Sequence, residues 1–289
     1  MTGGQVAAIA GWYGTHARDL PWRRPGTSPW AVLVSEVMLQ QTPVARVLPA
    51  YADWLGRWPS PAGLAAAPAA DAVRQWGRLG YPRRAIRLHE AARIITERHG
   101  GEVPAGLAEL RALPGVGAYT AAAVASFAFR QRHAVLDTNV RRVLARLFAG
   151  HELPGPAPTV AEITLAESLL PLEPELAARW SVAVMELGAL ICTAASPRCS
   201  DCPVLASCAW HQAGRPAAAV RRPGQSYEGT DRQCRGRLLA VLRDAEAPVP
   251  RATLDLVWPD HAQRDRALAS LLADGLACLH PDGRYTLPA

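Results

Sequence analysis

The stretch LPGVGAYT, residues 113–120, decides how the rest of this chain is read. Gly115 and Gly117 flank a single valine, so the backbone can turn tightly and leave its N–H groups uncovered. Before it, LAELRA (107–112) has a helical pattern; after it, AYTAAAVASFAF (118–129) does too. The order is helix, glycine turn, helix. Exposed N–H donors and partial positive charge at the start of the second helix suit a phosphate-sized anion. Either the turn simply joins two packed helices, or main-chain N–H groups around Gly115, Val116 and Gly117 hold a DNA phosphate without reading its base. The residue beside that turn is Tyr119.

Outward from this turn the chain is dominated by helix signals. TSPWAVLVSEVMLQQ (27–41) offers Thr27 or Ser28 as an N-cap, then a proline in the first turn and an apolar run. Further helices are expected over 71–80, 83–100, 138–150 and 175–192, several of them closed by glycine. Residues 213–230 are rich in Pro, Gly and Arg and read as a linker. Beyond it, three short helices precede LACLHPDGRYTLP, two strands around a Pro-Asp-Gly turn. Residues 231–289 are therefore expected to form a small winged-helix-like module, a fold that serves both DNA binding and protein contact.

Composition narrows the chemistry. The 289 residues contain no lysine, so all 31 basic residues are arginine, and the formal net charge is +6. A basic surplus favours a polyanionic partner. Without lysine, no side-chain amine can form a Schiff base with an aldehyde sugar. No apolar run reaches the roughly 18–20 residues that span a bilayer, and the first residues lack the pattern of a signal peptide. A cytoplasmic, nucleoid-associated protein with no membrane partner is expected.

Cys192, Cys199, Cys202 and Cys208 have the spacing C-x6-C-x2-C-x5-C. In a reducing compartment four such thiols read as metal ligands, for zinc or a cubane [4Fe–4S] cluster. Cys234 and Cys278 lie outside the group and read as ordinary buried thiols. Two carboxylates stand out. Asp137 precedes a helix and suits an N-cap, and Glu36 is the lone charge in an apolar helix, either paired in the core or lining a pocket. An unpaired, desolvated carboxyl there would have a raised pKa.

Together these features resemble the helix–hairpin–helix DNA glycosylase superfamily, in its endonuclease III branch. There a helix–hairpin–helix stands about 20 residues before a catalytic Asp, as Gly117 stands before Asp137, and a C-x6-C-x2-C-x5-C cluster follows. Within the superfamily, LPWR (20–23), SEVMLQQTPVARVLP (35–49), LGYPRRAIRLHEAA (79–92), LDTNVRRVLAR (136–146) and MELGALICT (185–193) are similar to the adenine-specific, MutY-type branch. The likeness covers roughly residues 10–212. It implies a mostly α, two-lobed fold. Residues 1–23 and 134–212 would form an iron–sulfur lobe, residues 24–133 a six-helix lobe with the helix–hairpin–helix.

The resemblance also implies roles. Glu36 would protonate the leaving adenine and ionised Asp137 would stabilise or trap the oxocarbenium-like sugar, with Tyr119 and Asn139 in support. Tyr81 would wedge into the duplex, while Gln41, Thr42 and Leu79 line the base opposite the adenine. Bifunctional relatives carry Lys where this chain has Tyr119, so hydrolysis without strand cleavage is expected, leaving an abasic site for an AP endonuclease. The substrate would be double-stranded DNA with adenine opposite 8-oxoguanine or G, the base being flipped out of the stack, and the enzyme a monomer. The cofactor would be a [4Fe–4S] cluster on the four cysteines. Nothing in 213–289 resembles the MutT-like domain of other members. A thymine glycosylase acting on T:G, or a non-catalytic cluster-bearing DNA-binding protein, are the alternatives.

Overall fold

Ser28 settles where the first apolar helix begins: its Oγ accepts the Ala31 N–H at 3.2 Å, and Pro29 follows as the first helical residue. The computed structural model describes residues 2–218 and 227–289; residues 219–226, the middle of the expected linker, lie outside the described residues. Two compact units result, one of residues 2–33, 105–111 and 116–218, the other of 34–104, 112–115 and 227–289.

In chain order the helices are α1 (Thr2–His16), α2 (Pro29–Leu39), α3 (Val44–Arg57), α4 (Pro61–Ala65), α5 (Ala69–Trp76), α6 (Arg83–Arg98), α7 (Leu107–Ala112) and α8 (Ala118–Phe129). They continue as α9 (Thr138–Leu144), α10 (Val160–Leu169), α11 (Pro174–Leu190), α12 (Ala209–Gln212), α13 (Asp231–Asp244), α14 (Arg251–Asp255) and α15 (His261–Ala273). A two-residue antiparallel hairpin, β1 (Cys278–Leu279) with β2 (Tyr285–Thr286), closes the list of elements. No helix among the described residues is long and apolar enough to cross a membrane.

The first unit is built around α11, which packs against α1, α8 and α9. Ile9, Val140, Leu144, Trp180, Val184 and Leu187 meet in its core. Leu187 is essentially inaccessible, so truncating it to Ala would cost about 2–5 kcal/mol. Helix α9 loosens into a π-helical turn over Ala145–Ala149 and stops at Gly150, whose φ of +72° suits glycine. That turn packs against α12, which follows the cysteine loop.

The second unit centres on three tryptophans. Trp54 meets Trp58 and Trp76 edge-on, with centroids 4.7 and 5.6 Å away, and Leu64, Leu88 and Ile95 are among the fully buried residues of the same unit. Helix α5 ends at Trp76, four residues earlier than the periodicity implies, because Gly77 takes a φ of +53° that breaks the helix. The C-terminal residues run α13, a bridge residue Val249, α14, α15 and the hairpin, with Val249 pairing to Tyr285. Cys234 is buried as the sequence implies, whereas Cys278 is exposed. The reason is that Cys278 sits on β1, a strand both of whose residues face solvent.

Candidate active site

Asp137 is the N-cap of α9, its Oδ1 accepting the Val140 N–H at 2.6 Å. Its other oxygen, Oδ2, accepts from Asn139 Nδ2 at 2.7 Å. Thus the bland reading of Asp137 as a cap and the chemical reading use different oxygens of one carboxylate. Burial, the largest influence, lifts the Asp137 pKa above the ordinary carboxylate value. The Val140 N–H, the Asn139 side chain and backbone, and the charge of Arg142 pull it back down. A carboxylate so placed, at the positive end of a helix, can be negative without water.

Asn139 is held from behind. Its Oδ1 accepts from Arg142 Nη2 at 2.8 Å, and the same guanidinium donates to the carbonyls of Gly188 and Cys192, each at 2.7 Å. Gly188 is required here. A Cβ on it would lie 2.7 Å from the Asn139 Cβ and 2.9 Å from the Asn139 carbonyl oxygen. Tyr119, in the first turn of α8, packs against the small cluster of Ala122, Ala123 and Val135 in the same unit. Val116 is buried and Gly117 caps α8 with extended backbone.

The cysteine loop hangs from Arg146, four residues on from Arg142. Arg146 is 1% exposed and donates to the carbonyls of Glu152, Thr193 and Ala194 at 2.9, 2.7 and 3.1 Å, and to Cys192 Sγ at 3.3 Å. Its guanidinium also lies over the Trp210 ring at 4.6 Å. The four thiols converge: Cys202 is pushed up to about 11, chiefly by burial and further by the nearby Cys192, Cys208 and Cys199. Yet no three His, Cys, Asp or Glu side chains among the described residues come close enough to hold a single metal ion. As a donor set, four thiols suit either a tetrahedral zinc or a [4Fe–4S] cluster.

In the second unit, Glu36 is buried on α2, flanked by Ser35 and Val37, both also buried. The residues expected to meet DNA from this unit share one organiser that the sequence does not announce. Arg84, in the first turn of α6, donates to the carbonyls of Val37, Met38 and Gln40 at 2.8, 2.9 and 2.6 Å. It also donates to Thr42 Oγ1 at 2.8 Å and the Gly80 carbonyl at 3.0 Å, and lies against the rings of Trp76 and Tyr81. Burial pushes its pKa down to about 10, which leaves it charged at neutral pH. Its charge rests on the carbonyl end of α2. Carbonyl acceptors leave no mark in a sequence, so only the structure reveals this residue.

Around Arg84 the backbone is strained. Only four non-glycine residues among those described have left-handed φ, and two are Gln41 at +55° and Tyr81 at +47°. Such conformations persist where the surroundings over-determine them. Thr42 and Leu79 are brought together, Thr42 Oγ1 donating to the Leu79 carbonyl at 3.3 Å, and both are buried. Tyr81 is 48% exposed, so its ring is not part of the core. Gly115, at φ +79°, accepts from Gln40 Nε2 at 3.4 Å, and a Cβ there would lie 3.0 Å from the Arg87 Cβ. So Gln41, Thr42, Leu79, Tyr81 and Gly115 belong with Glu36 in one unit, and Asp137, Asn139, Tyr119, Val116, Gly117 and the four cysteines in the other.

Comparison with known proteins agrees with this geometry. Residues 34–168 match the HhH-GPD superfamily of base excision DNA repair proteins. The adenine DNA glycosylase of Mycobacterium tuberculosis is 56% identical over 282 residues, 97% of this chain and 92% of that protein. That of Mycolicibacterium smegmatis is 54% identical over 96% of this chain and 94% of its own length. Among solved structures, a thermostable thymine-DNA glycosylase superposes with a TM-score of 0.65 at 28% identity, covering 72% of this chain and 95% of that one. The fold is therefore the helix–hairpin–helix glycosylase fold, and the chain belongs to the adenine DNA glycosylase family.

Proposed function

We propose that this protein is a monofunctional glycosylase that hydrolyses the N-glycosidic bond of adenine mispaired with 8-oxoguanine or G in duplex DNA. One observation carries the reading: 56% identity to an adenine DNA glycosylase along 97% of the chain, against 38% along 68% of the chain for a thymine/uracil-DNA glycosylase. Glu36 donates a proton to the departing adenine, the bond from the sugar C1′ to the base breaks with its electron pair going to the base, and the sugar becomes oxocarbenium-like. Asp137, with one oxygen capping the Val140 N–H and the other aimed by Asn139, stabilises that cation until water adds to C1′. Tyr119 borders the reacting sugar. It supplies no amine, and the chain has no lysine to supply one, so the product is an intact strand with an abasic site for an AP endonuclease.

Tyr81 enters the stack beside the flipped adenine, while Gln41, Thr42 and Leu79 meet the opposite base and the main chain at Gly115, Val116 and Gly117 takes a phosphate. Cys192, Cys199, Cys202 and Cys208 hold a [4Fe–4S] cluster, which when bound ties the 192–208 loop into one rigid element. The enzyme acts as a monomer in the cytoplasm, on the nucleoid. Chromatographic detection of the free base tests the assignment on duplexes carrying A opposite 8-oxoguanine, G, C or T, and T opposite G. Adenine released from the first two supports it. Thymine released from T:G with no adenine from any duplex would assign the site to the thymine branch, and no base from any bound duplex would leave a binding protein.

A further inference from the structure

Residues 231–289 have the element order of a DNA-reading module but not its electrostatics. They carry eight arginines and eight acidic residues, so the entire surplus of +6 lies elsewhere in the chain. Five of these eight arginines are paired within the module, Arg266 with Asp231 at 3.7 Å among them. Arg235 pairs with Asp274 at 2.6 Å, Arg251 with Asp255 at 2.8 Å and with Asp265, Arg264 with Asp255 at 2.9 Å, and Arg284 with Asp282 at 2.6 Å. Helix α15, the reading helix if the module bound a major groove, exposes His261, Ala262, Asp265, Arg266, Ala269 and Ala273. One Arg offset by one Asp gives such a helix little pull on a phosphate backbone.

The module instead grips the loop that bears Tyr81, and grips it on both sides. Arg243, in the last turn of α13, donates from Nε to the Val73 carbonyl at 3.1 Å, and its own carbonyl accepts from Arg74 Nε at 3.4 Å. The Ala289 carbonyl accepts the Ala69 N–H at 3.3 Å. All three partners lie on α5, the leg that enters the loop. On the leg that leaves it, Asp274 pairs with Arg83 Nη1 at 3.1 Å, and Arg83 is the first residue of α6, two beyond Tyr81. Between the legs, Tyr81 keeps its left-handed φ of +47° while half exposed.

We propose that the C-terminal module is a brace that fixes the wedge loop by its two legs, with Asp274 as the positioning residue for Tyr81, and that it is not a second reader of DNA. This rests on the reading of Tyr81 as the wedge. The test uses the full chain at saturating enzyme, following single-turnover adenine release and the fluorescence of 2-aminopurine placed beside the mismatch. Asp274→Asn and Arg83→Gln each reduce the rate and the insertion signal about two- to five-fold, the scale of a half-exposed ion pair. Combined, they lose no more than either alone, and Asp274→Glu recovers most of the rate. Arg235→Gln, which frees the same carboxylate from its partner inside the module, leaves the rate unchanged. Arg266→Gln and Arg284→Gln leave the salt dependence of DNA affinity unchanged.

Multiplicative losses from Asp274→Asn and Arg83→Gln would overturn the brace, because Arg83 would then act on DNA independently. A salt slope that falls by about one for each arginine removed from the module would make it a reader after all. Tyr81→Ala separates the two layers of the argument. If it abolishes the insertion signal while Asp274→Asn does not change it, the brace is wrong and the wedge stands; if Tyr81→Ala itself changes nothing, the wedge reading fails and the brace with it.

Discussion

Asn139 Nδ2 donates to Asp137 Oδ2 at 2.7 Å, so the carboxylate oxygen not used in capping α9 is aimed by a neighbouring side chain. Because burial raises the Asp137 pKa, the folded chain binds that proton more tightly than the unfolded chain. The stability this contributes is full at low pH and is lost as pH rises through the folded-state value. Asp137→Asn keeps a capping oxygen and removes the charge. It should abolish base release by at least about 10²-fold while leaving the melting temperature at pH 7 unchanged or higher. Single-turnover kinetics and thermal melts on the same sample check both halves.

The pH profile of the chemical step should have an acid limb set by Asp137, with its midpoint above the ordinary Asp value of 3.8. Activity needs Asp137 ionised, so in Asp137→Asn the residual rate should lose this limb. Single-turnover rates across pH for the two proteins measure this.

Gly188→Ala tests the positioning of Asn139 without touching a polar group. A methyl there meets both the Cβ and the carbonyl oxygen of Asn139 inside 3 Å. The substitution should cost about 1–3 kcal/mol and slow base release by ten-fold or more through displacement of Asn139. Equilibrium denaturation and single-turnover rates separate the two effects.

Glu186 anchors the N-terminal segment of the first unit. It is fully buried, takes Arg18 in a two-pronged pair at 2.7 and 2.8 Å, and takes Arg23 at 2.8 Å. Burial alone would raise its pKa, but the two guanidinium groups win and hold it at about 2. Its stabilisation, on the order of 3 kcal/mol at neutral pH, is present above about 4.5 and lost as pH falls toward about 2. Glu186→Gln should lower the melting temperature at pH 7 and flatten its pH dependence across that window.

Metal content tests the cysteine loop. Protein prepared without oxygen should be brown and hold about four irons per chain. Cys199→Ser should lose the colour, and zinc as the sole metal would contradict the assignment.

Much of this was legible in the sequence because local chemistry dictates it. Pro29 after Ser28 opens α2, Gly115 takes the positive φ the turn needs, and Asp137 caps α9. The four cysteines announce themselves by spacing. What was hidden depends on contacts between residues distant in sequence. Arg84 is defined by carbonyl acceptors more than 40 residues away, and Glu186 by Arg18 and Arg23 at the other end of the unit. The grip of Arg243 and Asp274 on the legs of the Tyr81 loop joins positions about 170 to 190 apart, beyond the reach of periodicity. Cys278 was misplaced because hydrophobic character alone does not say which face of a two-residue strand is covered.

The most direct test of the central claim is a single-turnover reaction on duplexes with A opposite 8-oxoguanine or G, each analysed with and without hot alkali. The account requires strand breaks at the adenine site only after alkali. Breaks that form equally without alkali would contradict it, because they would demand a lyase step for which this lysine-free chain has no side-chain amine.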